Sequence, residues 1–167
     1  MKSIGILKPP SLSAIKQCTG GDRFLAQDKD ISIGEVYTAE IKIDASLKLL
    51  SNFFQTLTDN GYTKRDGSPY NSLSLTYCKG SIQPHYDPDY VLVALWLLSV
   101  KRLHQNQHGF QSEDPLFYSS KQWLDVRLGE IIVFDADKEH AWLSNYHCSM
   151  IMQTVRRVRR TRRVESN

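Results

Sequence analysis

The chain has 167 residues with 21 Lys plus Arg against 18 Asp plus Glu, a formal net charge of +3, and this length suits one domain able to bury a core with a pocket inside it. Its longest apolar run, "YVLVALWLL" from Tyr90 to Leu98, falls well short of the roughly 18 residues of a membrane span, and the short apolar stretch before Pro9 and Pro10 does not make a secretory signal, so a cytoplasmic protein without membrane association is expected. Cys18, Cys78 and Cys148 are odd in number, widely spaced and without a Cys-x-x-Cys, so neither a disulfide framework nor a zinc knuckle is indicated and reduced core or surface thiols are expected.

The first thirty residues are punctuated by Gly, Pro and Asp and are hard to assign. From Gly34 to Ile43, "GEVYTAEIKI" alternates as a strand does. One helix follows: Asp44 is placed to cap it, Leu47, Leu50, Phe54 and Leu57 recur at helical spacing with Leu49 and Phe53 widening the stripe, and "DNG" at 59 to 61 ends it. "KRDGSPYN" reads as a loop. Beyond Ser72 the pattern turns to short β-type runs divided by turns: "SLSLTYC", "YVLVALWLL", "PLFYSS", "QWLDVRL", "EIIVFDA" and "CSMIMQTVRRV". One helix and then many short strands predict a mainly β (α+β) chain, an antiparallel double-sheet jelly roll with the helix laid on one sheet. A parallel α/β sheet would need a helix between strands.

The expected layout is a single domain, 1–167, with support from 1–71, a β core at 72–158 and a basic tail at 159–167. The polar stretch 101–114, which holds His104 and His108, reads as a flexible loop over the mouth between the sheets. Charge is uneven along the chain. Residues 1–155 carry 15 basic against 17 acidic side chains, whereas "RRVRRTRR", Arg156 to Arg163, holds six arginines. Such a density repels itself and suits either a solvated tail or contact with an anion such as nucleic acid.

Two short stretches carry chemistry. In "GSIQPHYDPDY", His85 and Asp87 stand two apart, so on an extended segment their side chains share one side while Tyr86 faces away. An imidazole and a carboxylate suit iron or manganese, although His-x-Asp alone is common by chance. The second stretch is "GEIIVFDADKEHAW", in which a Gly-led apolar strand and an acidic turn bring the chain to His140. In a rolled sheet that position can return to the mouth beside His85. Two histidines and one carboxylate on one face of an ion form a facial triad with coordination positions left open, the arrangement of an oxygenase site rather than a closed structural one. His147, near a turn, is expected at the surface. Trp96 and Trp142 are expected as core or rim aromatics, with Trp142 able to line the mouth.

Three linked pieces, "LTYCKGSIQPHYD", "GEIIVFDADKEHAW" and "SMIMQTVRR", resemble the double-stranded β-helix core of the iron(II)- and 2-oxoglutarate-dependent oxygenases, especially the AlkB-like and prolyl-hydroxylase-like branches. The resemblance covers about residues 72 to 158. It implies that His85, Asp87 and His140 are metal ligands and catalytic residues, that iron(II) and 2-oxoglutarate are the cofactors, and that Tyr77 hydrogen-bonds the 2-oxoglutarate. It also implies an Arg on the last strand, pairing the far carboxylate of that cosubstrate through a two-pronged contact. The family commonly has this Arg near the positions held here by Ser149, Met150 and Ile151, and the first Arg available is Arg156, sixteen after His140. Either Arg156 serves, with "TVR" resembling the AlkB-like strand end, or Arg157 does so in a shifted register, or the cosubstrate is held differently or not at all.

The implied reaction is hydroxylation of a substrate C–H, or demethylation through hydroxylation, since halogenating members lack the carboxylate that Asp87 supplies. The substrate stays open among a nucleobase, a protein side chain and a small molecule. Two rivals also stay open: a cupin-like metal-dependent dioxygenase that uses no 2-oxoglutarate, and a non-enzymatic module whose basic tail contacts nucleic acid.

Overall fold

The computed structural model describes residues 1–20, 34–65, 73–88, 92–102 and 114–158. Eight consecutive strands build its centre: β4 (Leu73–Lys79), β5 (Ile82–His85), β6 (Leu92–Arg102), β7 (Leu116–Ser119), β8 (Gln122–Asp125), β9 (Glu130–Asp135), β10 (His140–Leu143) and β11 (Tyr146–Arg157). All pairings are antiparallel. The chain passes back and forth between two sheets, so that β9-β6-β11-β4 lie side by side in one and β5-β10-β7-β8 in the other. This interleaved order is that of a jelly roll, or double-stranded β-helix.

The N-terminal part widens and covers the larger sheet. β1 (Lys2–Ile6) pairs with β9 on one edge, β2 (Val36–Glu40) pairs with β4 on the other, and β3 (Tyr62–Lys64) continues the β4 edge along the end of β11. Three short helices, α1 (Leu12–Gln17), α2 (Ile43–Ser46) and α3 (Ser51–Asp59), supply the layer over its outer face. The larger sheet is therefore buried on both faces, which is why the central parts of β6 and β9 read as nearly continuous apolar runs.

Alternation along these strands divides the interior into two cores. Leu73, Leu75 and Tyr77, Ala94 and Trp96, Ile131 and Val133, and Ile151 and Val155 face the helices. The intervening Cys78, Val93, Leu95, Ile132, Phe134, Cys148 and Met150 face the smaller sheet. In the helical core Phe53 stacks on Trp96, with ring centroids 5.3 Å apart and planes at 4°. Burial of each such large side chain contributes about 1.5–3 kcal/mol. The Trp96 indole donates to the carbonyl of Gly129 at 3.0 Å, and that carbonyl also accepts from Leu7 N at 2.9 Å. Gly129 sits at φ +84°, and a Cβ there would overlap the Leu7 carbonyl oxygen, so glycine is what allows β1 to dock against β9.

The helix expected after Asp44 is two. α2 ends at Ser46, whose hydroxyl donates back to the Ile43 carbonyl at 2.9 Å, an alternative partner for backbone that weakens a helix locally. The cap position is Lys42, with no side-chain bond, and Asp44 lies in the first turn. Leu47 is 53% exposed, and the buried stripe is Leu50, Phe53 and Leu57. The N-terminal thirty residues, which the sequence leaves unassigned, hold β1 and α1. α1 is capped by Ser11, which accepts from Ala14 N. β3 and β5 were also unexpected. The loop expected at 101–114 begins as the end of β6, and its part from 103 to 113, with His104 and His108, lies outside the described residues, as does the arginine tail beyond 158. Cys18, Cys78 and Cys148 are free and buried, and no helix of the described residues is long and apolar enough to cross a membrane.

Candidate metal centre

β5 ends on His85 and β10 begins on His140, and the antiparallel register sets the two opposite one another. Their rings lie 4.3 Å apart between centroids. The chain then turns, and Asp87 N donates to the Ala136 carbonyl at 2.8 Å, which ties the His-x-Asp turn to the end of β9. These two pairings bring together one donor atom each from His85, Asp87 and His140, all within 4.8 Å of one another. Among the described residues this is the one such group of three.

The protonation pattern follows from the hydrogen bonds. His85 Nδ1 lies 2.7 Å from the Gln83 carbonyl and His140 Nδ1 lies 2.8 Å from the Lys138 carbonyl. A carbonyl only accepts, so both Nδ1 atoms carry hydrogen and donate, which leaves Nε2 of each ring as the atom that meets a proton or a metal ion. Both Nε2 atoms point at the same carboxylate oxygen, Asp87 Oδ2, at 3.5 Å from His85 and 3.1 Å from His140. Three acceptors facing one another repel unless a cation, either protons or a metal ion, lies among them. Backbone carbonyls that fix the Nδ1–H tautomer are the usual outer support of a histidine metal ligand.

The electrostatics agree with this geometry. The bond from His140, and next that from His85, holds the Asp87 carboxyl well below the usual carboxylate range. His85 is raised by its bond to Asp87 against the opposing effect of burial. His140 is buried against the rings of Phe134 and Phe117, at 5.0 and 6.1 Å between centroids, while the side chains of His85 and Asp87 remain 41% and 40% exposed. An ion held here would be enclosed on the protein side and open on the other. The donor set therefore fits a divalent transition metal with positions left for ligands.

The cluster closes one end of a cavity of about 320 Å³ between the two sheets. Ile82, Phe117, Trp142, Val93, Leu95 and Phe134 give apolar walls, and Thr38, Ser74, Thr76, Met150, Met152 and Thr154 line the side formed by β2, β4 and β11. Trp142 thus lines the mouth as expected, and Trp96 belongs to the core.

The other expected site residues are not brought to the cluster. Tyr77 alternates with Thr76 and Cys78 and so faces the helical core, where its hydroxyl lies 3.5 Å from His147 Nδ1. The β4 side chains on the cavity are its neighbours Ser74 and Thr76. His147 is accordingly half-buried, not a free surface residue. Arg156 and Arg157 are exposed at the end of β11 and line a separate shallow depression with Arg65, Leu92 and Asp135. Arg156 is the next residue in the alternation Met150, Met152, Thr154, whereas Arg157 belongs with Val155 on the other face. No Lys or Arg lines the cavity among the described residues. The site reading of the sequence passed over the Ser and Thr side chains, although the alternation "S-L-T-Y-C" that sends Tyr77 outward was available in it.

No family model matches the chain, and no curated protein matches it. Among solved structures it is similar to a cupin superfamily protein from Desulfitobacterium hafniense, with 8% identity, TM-score 0.41, and 93% of this chain and 99% of that one covered. It is similar also to an oxidoreductase of the 2OG-Fe(II) oxygenase family from Burkholderia pseudomallei, with 14% identity, TM-score 0.44, and coverage of 78% and 75%. A ribosomal oxygenase of Escherichia coli matches with 10% identity, TM-score 0.44, and coverage of 80% of this chain and 35% of that one.

Proposed function

We propose that the protein is an iron(II)-dependent oxygenase that hydroxylates, or demethylates through hydroxylation, a substrate C–H, with His85, Asp87 and His140 as the metal ligands. The observation that carries this reading is the pair of Nε2 atoms converging on one carboxylate oxygen, each ring held from behind by a backbone carbonyl at its Nδ1. Bound iron(II) would supply the redox chemistry by which dioxygen oxidises a C–H bond. The chain's own part is to keep three adjacent ligand positions filled, to leave the opposite side open toward the cavity, and to surround that space with Phe117, Phe134 and Trp142, which exclude water and hold a substrate in place. The cosubstrate implied by the resemblance is 2-oxoglutarate, for which Arg156, or Arg157 after a change of register, would have to turn inward to meet the far carboxylate.

The absence of a basic side chain from the described cavity wall favours a second reading, a cupin-like metal-dependent dioxygenase that does not use 2-oxoglutarate. Anaerobic titration with iron(II) and then 2-oxoglutarate separates the two. A visible charge-transfer band that is lost in His85→Ala, Asp87→Ala and Arg156→Ala supports 2-oxoglutarate use. Iron binding with no response to the oxo acid supports the second reading. No iron binding at all sinks both and leaves a binding module with a basic tail.

A further inference from the structure

We infer that the cavity beside the metal cluster selects a ligand whose far end is uncharged and hydrogen-bonding, such as a carboxamide, and discriminates against one that ends in a carboxylate. This inference rests on the reading of His85, Asp87 and His140 as a metal centre. It concerns the wall formed by β2, β4 and β11. There Thr38 stands opposite Thr76, Thr76 opposite Met150, and Ser74 opposite Met152, with Thr154 next along β11 after Met152 in the inward alternation. These six residues, with Val36 and Gln153 beside them, put hydroxyls and thioethers on one wall of the cavity.

Part of its hydrogen-bonding capacity is unspent among the described residues. Thr154 is 3% exposed, and its Oγ1 has no partner among the described residues. Thr76, equally buried, has among the described residues long contacts, 3.5 Å to Thr38 Oγ1 and 3.6 Å to Met152 Sδ. A buried polar group without a partner costs free energy, so unpartnered hydroxyls on a cavity wall mark where a ligand's polar atoms complete the structure. A hydroxyl both donates and accepts, which complements an amide that also does both.

A carboxylate fits the same wall poorly. Taking it out of water is costly unless a cation pairs with it, and the charged groups lining the cavity among the described residues are the metal-cluster side chains, with Asp87 itself an anion. Arg156 and Arg157 lie in the separate depression at the end of β11.

Calorimetry tests this with two acids that share a chelating 2-oxo acid head and differ at the other end, 2-oxoglutarate and its far-end amide 2-oxoglutaramate. Manganese(II) is titrated first. Failure to bind it refutes the metal-centre reading and this inference with it. On the manganese-loaded protein the amide is expected to bind at least about tenfold more tightly than the dicarboxylate. Thr154→Val and Thr76→Val, which keep shape and remove the hydroxyl, are expected to leave manganese affinity unchanged and to cut that preference to within about threefold. Equal or tighter binding of 2-oxoglutarate, binding of neither acid to the loaded protein, or a preference that survives both substitutions overturns the inference while leaving the metal centre intact.

Discussion

Metal loading should reverse the pH dependence that the His-Asp-His cluster gives to stability. In the metal-free protein Asp87 is lowered by its bonds from His140 and His85, and His85 is raised by its bond to Asp87. A carboxyl lowered on folding contributes stability above its unfolded value of about 3.9, and that stability is lost as the pH falls through the folded value. A histidine raised on folding contributes stability that is complete below about pH 6.5 and is lost as the pH rises through the folded value. The cluster therefore stabilises the metal-free protein most at mildly acidic pH. A metal ion acts the other way, because it needs both Nε2 atoms deprotonated.

At free metal about 100 times Kd the gain is ~2.7 kcal/mol, which for a chain of this length corresponds to a rise in Tm of roughly 5–11 °C. Each pH unit below the histidine range that requires one more proton to be displaced removes ~1.4 kcal/mol, about half of that gain. Thermal unfolding with chelator and with manganese(II), at about pH 5.5 and about pH 7.5, measures it, with His85→Ala and Asp87→Asn as controls. A metal-induced rise in Tm of the same size at both pH values, or one that persists in both variants, refutes the assignment of the three ligands.

Other perturbations test the frame around the site. Phe53→Ala removes a fully buried ring stacked on Trp96 and should destabilise by ~3–5 kcal/mol in urea unfolding; a loss below ~1 kcal/mol would mean that the helical layer does not pack as described. Gly129→Ala places a Cβ against the Leu7 carbonyl at a positive φ, so beyond the ~1–3 kcal/mol of backbone strain it should free β1, read as faster amide exchange at Ser3 and Gly5. Ser120 and Lys121 both have positive φ, 50° and 66°, in the two-residue turn between β7 and β8. Lys121→Gly should therefore stabilise by ~0.5–1 kcal/mol, and a loss of stability would contradict this turn geometry.

Much of the fold was legible in the sequence because its strands are short, apolar and separated by turns, which is the signature of packed antiparallel sheets. Six of the eight central strands appear as runs in the sequence. β5 does not, because "IQPH" has a single apolar residue, and its pairing with β10 is a long-range fact that no local pattern carries. β1 was hidden for a similar reason: its partner lies about 130 positions away at β9, and the glycine that lets it dock is beside that partner. At the site, His85 and Asp87 were legible from strand periodicity and His140 from the turn before it. The carbonyls of Gln83 and Lys138 that fix the imidazoles leave no mark in residue types. Tyr77 was misplaced because the resemblance named a residue, whereas the alternation of β4 assigns the cavity to its neighbours.

β11 alternates between the two cores over much of its length, sending Ile151 and Val155 to the helices and Met150, Met152 and Thr154 toward the cavity. This makes the strand far less tolerant of insertion or deletion than of substitution. Removing one residue anywhere between Met150 and Thr154 would exchange the faces of everything beyond it or break the register with β4 and β6. It would also interchange Arg156 and Arg157 with respect to the cavity side. Variation in this strand is thus expected to accumulate as side-chain replacement at constant length, while changes in length are confined to the turns that flank it.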